Sequence, residues 1–512
     1  MVWHIFRKDL KLLWRMVVGV ALLNLMHRAI LSSVGPFGSG GVSPLVLSGM
    51  LGTVSLLATG VLIVMVVQQD PIPGLTQDWL VRPIRRRDLL LSKVLFVALM
   101  VQGPILLTEV CQCLAAGFPI GASLAAPLSR SVWMFLAMDL PVVAFATLTR
   151  SLVQAAGAGI AVVVGYALLT QATILYTNSL FNRIWVTDAA QAAWGLAGVA
   201  AVLALQYSRR KTTRARWVYG AAALVWLFVQ FLPWQPAFAI EKRLSPQPAA
   251  ADAVQIAFDP AFGRFHRPAG QPAPVVFRAS RATSDVDAWA PLRVSGVSEG
   301  QILTNDGAVG RLIGPGGTMI DLGRSGMPIP WDLRGPFHYL IFIPKDIYNR
   351  LKDQPVALEI DYSLTLQRAN PAQTIPAAGG AQWIEDVGRC ATRASAGGGQ
   401  APHEETETGD EPPLQAVELG CLTPGNPPCV TLSLEYNGTA QRPVQGSGCQ
   451  SDYAPYFRRV NGDSISRFAR EFPFARSELN NARVVVKAHR PVAHFTRQVS
   501  IPNIRLSDWR PE

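Results

Sequence analysis

Apolar runs of membrane-spanning length follow one another from residue 13 to residue 234, and then they stop. A bilayer core takes about 20 apolar residues of helix. Seven segments meet or approach that length: 13–33, 45–67, 92–114, 131–149, 151–176, 189–207 and 217–234. Little more than Arg150 separates the fourth from the fifth, so a count that merges them or lets the chain re-enter stays open there. The first segment is followed by further spans and lacks a small-residue cleavage site, so it reads as a span rather than a cleaved signal.

Beyond residue 235 the pattern changes. Residues 236–252, with Pro236, Pro246, Pro248 and several alanines, read as a linker. From 253 to 512 short alternating or β-branched segments recur: 254–258, 274–278, 292–297, 338–343, 356–366, 429–435, 483–489 and 494–501. Turn residues separate them at intervals that suit a β-sandwich. Pro344, Lys345 and Asp346 open a short helix through Leu351. Two tracts near 372–380 and 394–413, rich in Gly, Ala, Pro and acids, read as flexible insertions. The expected fold class is a multi-span α-helical membrane bundle over 1–235, followed by a mainly-β, sandwich-like domain.

Charge gives the bundle an orientation. Up to Trp234 there are 18 Lys or Arg against 7 Asp or Glu, whereas the remainder carries 28 of each, so the net charge of +11 resides in the membrane half. Basic residues beside spans report topology, since short basic loops resist translocation; a nucleic-acid partner is not expected. With the N-terminus in the cytoplasm, fifteen basic residues fall on the cytoplasmic side (Arg7, Lys8, Lys11, Arg15, Arg82, Arg85, Arg86, Arg87, Lys93, Arg150, Arg209, Arg210, Lys211, Arg214 and Arg216) and three on the other (Arg28, Arg130 and Arg183). Seven spans then place residues 236–512 outside, periplasmic or extracellular. Four cysteines, Cys390, Cys421, Cys429 and Cys449, lie in that outer part. An even number there suits disulfides, which persist in oxidising compartments, with three pairings open.

Catalytic patterns fail on context. His403, Glu404 and Glu405 lack the second histidine of a zinc-protease helix, and the Cys421–Cys429 spacing fits no common zinc pair. Gly296–Gly300 (GVSEG) matches a nucleophile elbow around Ser298, but a further turn signal, Asn305-Asp306-Gly307, follows where a helix is required, so a hairpin turn is expected. Asn437-Gly438-Thr439 reads as another hairpin turn, and as a glycosylation acceptor only in a host that glycosylates exported proteins. The chain contains no Gly-Lys dipeptide and therefore no phosphate-binding loop, so neither enzyme activity nor a cofactor is expected. Within the spans, Arg28, Glu109 and Asp139 are the costly polar residues. Glu109 is placed to line a route, hold a proton or pair with Arg28, and Asp139 precedes Pro141. Cys111 and Cys113, two apart on a helix, point to different faces.

Four stretches, 4–14 (HIFRKDLKLLW), 79–95 (WLVRPIRRRDLLLSKVL), 149–159 (TRSLVQAAGAG) and 206–216 (QYSRRKTTRAR), together resemble a bacterial ATP-binding-cassette permease of the type-2, exporter-like class over residues 1–216. A seventh span and an outer domain depart from the six-helix pattern. The resemblance implies a separate ATPase subunit, a permease dimer partner and a bacterial inner-membrane location. It also implies that the loop between spans two and three contacts the ATPase. Here that loop carries Trp79, Arg82, Pro83, Arg85, Arg86, Arg87 and Asp88. The alternative function is a non-transporting, membrane-anchored binding or sensor protein acting through its β domain.

Overall fold

The computed structural model describes residues 1–33, 42–70, 85–177, 185–229, 234–244, 249–265, 285–325, 335–395, 414–425, 429–436, 439–443, 465–475 and 481–509. Its N-terminal half is helical: α1 (Val2–Ser33), α2 (Val42–Gln68), α3 (Arg86–Phe96), α4 (Gly103–Ala115), α5 (Ile120–Met134), α6 (Leu140–Ala146), α7 (Leu152–Thr177), α8 (Trp185–Ala204) and α9 (Thr212–Val229). Short π-helical turns join α3 to α4 (Val97–Gln102), join α5 to α6 (Phe135–Asp139), and extend α8 (Leu205–Arg209). Five of the resulting rods are long and apolar enough to cross a membrane among the described residues: Val2–Ile30, Val46–Gln68, Arg86–Ala115, Ile120–Ala146 and Val186–Arg209. The remaining expected segments, 151–176 and 217–234, are helical through α7 and α9, the latter ending at Val229.

The junction at Arg150 is a break. Thr147 and Thr149 turn their hydroxyls back onto the Ala144 and Ala146 carbonyls at the end of α6. Ser151 then accepts the Gln154 amide while Gln154 accepts the Arg150 amide, a reciprocal cap that starts α7 as a new helix.

The C-terminal half is built on one seven-stranded sheet. Its order is β12 (Thr439–Pro443), β11 (Cys429–Tyr436), β14 (Ala482–Ile504), β6 (Val356–Ala369), β3 (Gln301–Ile313) and β4 (Met319–Ser325), with β7 (Gln373–Pro376) also on β14. A three-stranded sheet of β1 (Gln255–Phe258), β2 (Asp285–Ser295) and β5 (Gly335–Pro344) shares one core with it, around Tyr362, Leu364, Phe495 and Leu292. A four-stranded sheet of β8 (Gly380–Ile384), β9 (Gly388–Ser395), β10 (Leu414–Pro424) and β13 (Ile465–Ala475) shares a second core, around Val417, Leu419, Val484 and Val486. The helix opened by Pro344 is α12 (Lys345–Leu351).

Several expectations change in detail. Segments 483–489 and 494–501 are one 23-residue strand, β14. A bulge between Pro491 and Ala493 shifts the register; the positions that enter the shared cores are even before it (Val484, Val486, Ala488) and odd from Ala493 to Ile501 (Ala493, Phe495, Val499, Ile501). One extra residue keeps the same face inward while inverting parity, and proline is tolerated at a bulge. The tract 372–380 is an ordered part of the sheets, through β7 and the start of β8. Of 394–413, residues 396–413 lie outside the described residues, as do 274–278, His403, Asn437 and Gly438. The linker 236–252 is helical where described, as α10 (Trp234–Leu244) and α11 (Ala249–Asp252).

The GVSEG turn exists, but it does not make a hairpin, because β2 and β3 belong to different sheets. It carries the chain from one layer to the other. Gly296 has φ +80°, and a Cβ there would stand 1.7 Å from the Ala253 carbonyl oxygen. The Gly-Xaa-Ser-Xaa-Gly pattern thus answers to a crossing of the backbone, and Ser298 leads into a strand.

Cys390 and Cys421 face each other across β9 and β10 and form a disulfide. Cys429 is disulfide-bonded as well, and Cys449 lies outside the described residues. Closing a loop with a sequence separation of 31 restricts the unfolded chain, and Cys390→Ser together with Cys421→Ser is expected to lower the stability of the β domain by about 3 kcal/mol. Thermal unfolding with and without reductant checks this: reductant should shift the wild type and leave a smaller shift in the double variant.

Candidate functional site

The helical rods alternate in direction, so the bundle has two ends. At the proximal end Phe118, in the α4–α5 turn, packs edge-on against Trp383 of β8, with ring centroids 5.7 Å apart. Arg389 Nη1 donates to the Ala116 carbonyl at 3.3 Å. The β domain therefore sits on this end. At the distal end the segments around residues 8, 70, 86–93, 148, 208 and 216 converge. Arg86 donates to the Ser208 carbonyl, and Arg216 to that of Leu148. Basic residues grouped by the topology rule thus meet in space.

The distal end is organised by a buried ionic cluster. Lys93, in the last turn of α3, is 1% exposed; its Nζ lies 2.7 Å from Asp9 of α1 and 2.8 Å from Asp70, which follows α2. Lys8 joins from α1 at 2.7 Å from Asp70. Burial alone would raise the Asp70 pKa, but the charges and hydrogen bonds of Lys93 and Lys8 outweigh it and hold it below the ordinary value. Asp70 and Lys93 flank the loop between the second and third spans, so both of its ends are anchored to α1. Within that loop Trp79, Arg82 and Pro83 lie outside the described residues. Arg85 and Arg87 are exposed at the start of α3, while Arg86 and Asp88 are half-buried.

A second cluster sits toward the proximal end. The Glu109 carboxylate, wholly buried in α4, lies 2.9 Å from Arg28 Nη2 of α1 and is also bonded by Arg130 of α5. Two guanidiniums on one carboxylate tie three rods together. Asp139 is elsewhere: it ends one π-helical turn and accepts at 2.6 Å from Gln102, which ends another. π-helical turns release the regular helical ladder and recur at functional positions. Cys111 is exposed and Cys113 buried, on different faces.

The third cluster joins the two halves. β6 buries Tyr362, Leu364 and Leu366 in the sandwich core, and its alternate residues Asp361, Ser363, Thr365 and Gln367 are buried on the opposite face. Onto that polar face α10 brings Glu241, 0% exposed. Glu241 Oε1 accepts from Ser363 Oγ at 2.9 Å and lies 2.8 Å from His494 Nε2 of β14. His494 Nδ1 is 3.3 Å from Asp306, which also accepts from Thr365 at 2.5 Å. Asp306 is the extra residue of a bulge in β3, between Asn305 and Gly307, and the bulge aims its carboxylate inward. Burial alone would lower the His494 pKa; hydrogen bonds and charge from Asp306 and Glu241 outweigh it and raise it to about 9. Burial pushes the Asp306 carboxyl upward despite those bonds. Arg497, further along β14, donates to the Ala251 and Val254 carbonyls at the end of α11. One strand thus grips both connector helices.

Neither a protein family, a curated protein nor a solved structure matches this chain. Its function is therefore read from these three clusters and the fold that positions them. Arg28, Glu109 and their pairing are expected from the sequence, whereas Lys8 and Lys93 are expected there only as topology charges, and Asp9, Asp70, Glu241 and His494 are not expected at all. The available signal was the rarity of acids among the spans, which number 7 up to Trp234.

Proposed function

We propose that the chain is the permease subunit of an ATP-binding-cassette transporter, in which a separate ATPase drives the export or extraction of a substrate. The observation that carries this reading is the anchored loop at the distal end. A docking element transmits motion only if it is held rigidly to the helices it is to move, and the Lys93–Asp9–Asp70 cluster holds both ends of this loop to α1. Arg85 and Arg87 remain exposed beside it for an acidic partner surface. In this reading the distal end is cytoplasmic, the protein is a multi-pass inner-membrane protein that pairs with a second permease copy or paralogue, and the β domain stands in the periplasm.

The test is co-purification in mild detergent from native membranes. A subunit with a phosphate-binding loop is expected to accompany the wild type. Its recovery should fall about tenfold or more for Arg85→Glu with Arg87→Glu, since charge reversal at a complementary interface weakens association steeply. Arg86 is left intact because it supports the bundle through Ser208. Equal recovery from both proteins, or no ATPase from either, would remove the coupling role. The Glu241–His494 contact favours a second reading, a non-transporting membrane-anchored binding or sensor protein, in which a change in the β domain reaches the bundle through α10.

A further inference from the structure

Asp139 and Gln102 meet where two rods pack, and each ends a π-helical turn, Phe135–Asp139 in one rod and Val97–Gln102 in the other. Gln102 is near the midpoint of the 30-residue rod Arg86–Ala115, so the contact lies deep in the hydrocarbon layer. Both side chains are buried. Gln102 Nε2 donates to Asp139 Oδ2 at 2.6 Å, while Gln102 Oε1 is buried without a hydrogen-bond partner. Of the elements packed against the Asp139 turn, α6 and the Val97–Gln102 turn carry no ionisable residue, α5 carries only Arg130, and α8 carries only Asp188, itself an acid. Arg130 is bonded to Glu109 and stands nine residues before Asp139, about 14 Å at the helical rise.

A carboxylate at that depth with one neutral hydrogen bond and no cation beside it is costly, and a proton that neutralises it removes the cost. The same proton accounts for the amide oxygen. A carboxylic acid facing a primary amide closes a ring of two hydrogen bonds: the amide donates to one acid oxygen, and the acid hydroxyl donates to the amide oxygen. Gln102 Oε1 is the acceptor that such a ring needs. We propose that Asp139 and Gln102 form a proton-binding site within the membrane bundle. When the two rods part, the carboxyl proton passes to water and leaves a carboxylate; when they close, one proton is taken back. The two π-helical turns supply freedom for that movement, because their backbone is released from the regular ladder on both sides of the contact. The site needs no ATPase, so its failure and that of the permease reading are distinguishable.

Infrared spectroscopy of the full-length protein in detergent at neutral pH tests the proposal, because the carbonyl stretch of a carboxylic acid is separate from the bands of a carboxylate. The spectrum of the wild type minus that of Asp139→Asn is expected to show one carboxylic-acid band. In heavy water that band should shift, since exchange with solvent requires the rods to part. Gln102→Leu should keep the band and move it to higher frequency, because the acid loses its amide partner. Gln102→Lys should abolish it, because an ammonium beside the carboxylate favours the ionised form. Should Asp139→Asn fail to fold, the move in Gln102→Leu identifies the band. A wild type with no carboxylic-acid band that Asp139→Asn removes, a band that stays in place in heavy water, or a band unaffected by both Gln102 variants would overturn the proposal.

Discussion

Replacing Lys93 with methionine is expected to lower the unfolding free energy by about 3–5 kcal/mol, the range for removing one partner of a buried ion pair. Methionine keeps the length of the lysine stem, so lost charge dominates over lost packing. Asp9, fully buried, would keep only Lys8 at 3.5 Å, and Asp70 would lose one of its two cations. The thermal midpoint of the purified protein measures the loss. Because the penalty comes from stranded carboxylates, Lys93→Met combined with Asp9→Leu should recover part of it, as a double-mutant cycle would report. A double variant that loses the sum of the two single effects would show that the residues do not act as a pair.

The second large effect is expected at the connector. His494→Ala would leave the Glu241 and Asp306 carboxylates buried without the imidazolium between them. The shift of His494 from 6.5 to about 9 corresponds to roughly 3 kcal/mol of stabilisation. Its pH dependence has a definite sign. A group that binds its proton more tightly when folded contributes fully below its unfolded value, and the contribution is lost as pH rises through the folded one. The stability of the wild type should therefore decline from about pH 6.5 and reach the level of His494→Gln above about pH 9. Titration of thermal stability from pH 6 to 10 checks it; parallel curves for the two proteins would contradict the role assigned to His494. Loss of this contact should also free α10 from β14, seen as faster amide exchange over 234–244.

The architecture was legible where one physical signal dominates. Apolar length marked the spans, and short basic loops gathered at one end of the bundle as expected, because both follow from the cost of moving polar groups into hydrocarbon. The strands of the β domain were visible as alternation, most clearly at β6. That same alternation misleads on the site. Asp361, Ser363, Thr365 and Gln367 have the pattern of a solvated face and are buried, since nothing local announces the partners they meet: Arg311 at Asp361, Glu241 of the connector helix at Ser363, Asp306 at Thr365 and Thr304 at Gln367. Asn305-Asp306-Gly307 has the composition of a turn, yet pairing with β6 on both sides keeps it in the strand as a bulge.

The prolines of the connector mark it in sequence only as a linker. Pro236 instead falls in the first turn of α10, where its missing amide costs nothing. The distal cluster was hidden for another reason. Lys8 and Lys93 satisfy the topology rule on their own, so a sequence gives no cause to look for their acids, and residues 9, 70 and 93 become neighbours only when three rods pack. Glu109 was easier, because a carboxylate deep in an apolar segment demands a partner. Arg28 is a candidate by position, whereas Arg130 reads in sequence only as a charge on the outer side.

A photo-reactive phenylalanine analogue in place of exposed Arg87 tests most directly the proposal that the distal end docks an ATPase. Irradiation of native membranes should give an adduct whose second component carries a phosphate-binding loop, and the adduct should vanish when the analogue is placed at Trp383, on the β domain. Recovery of lipid adducts alone from position 87 would contradict the account.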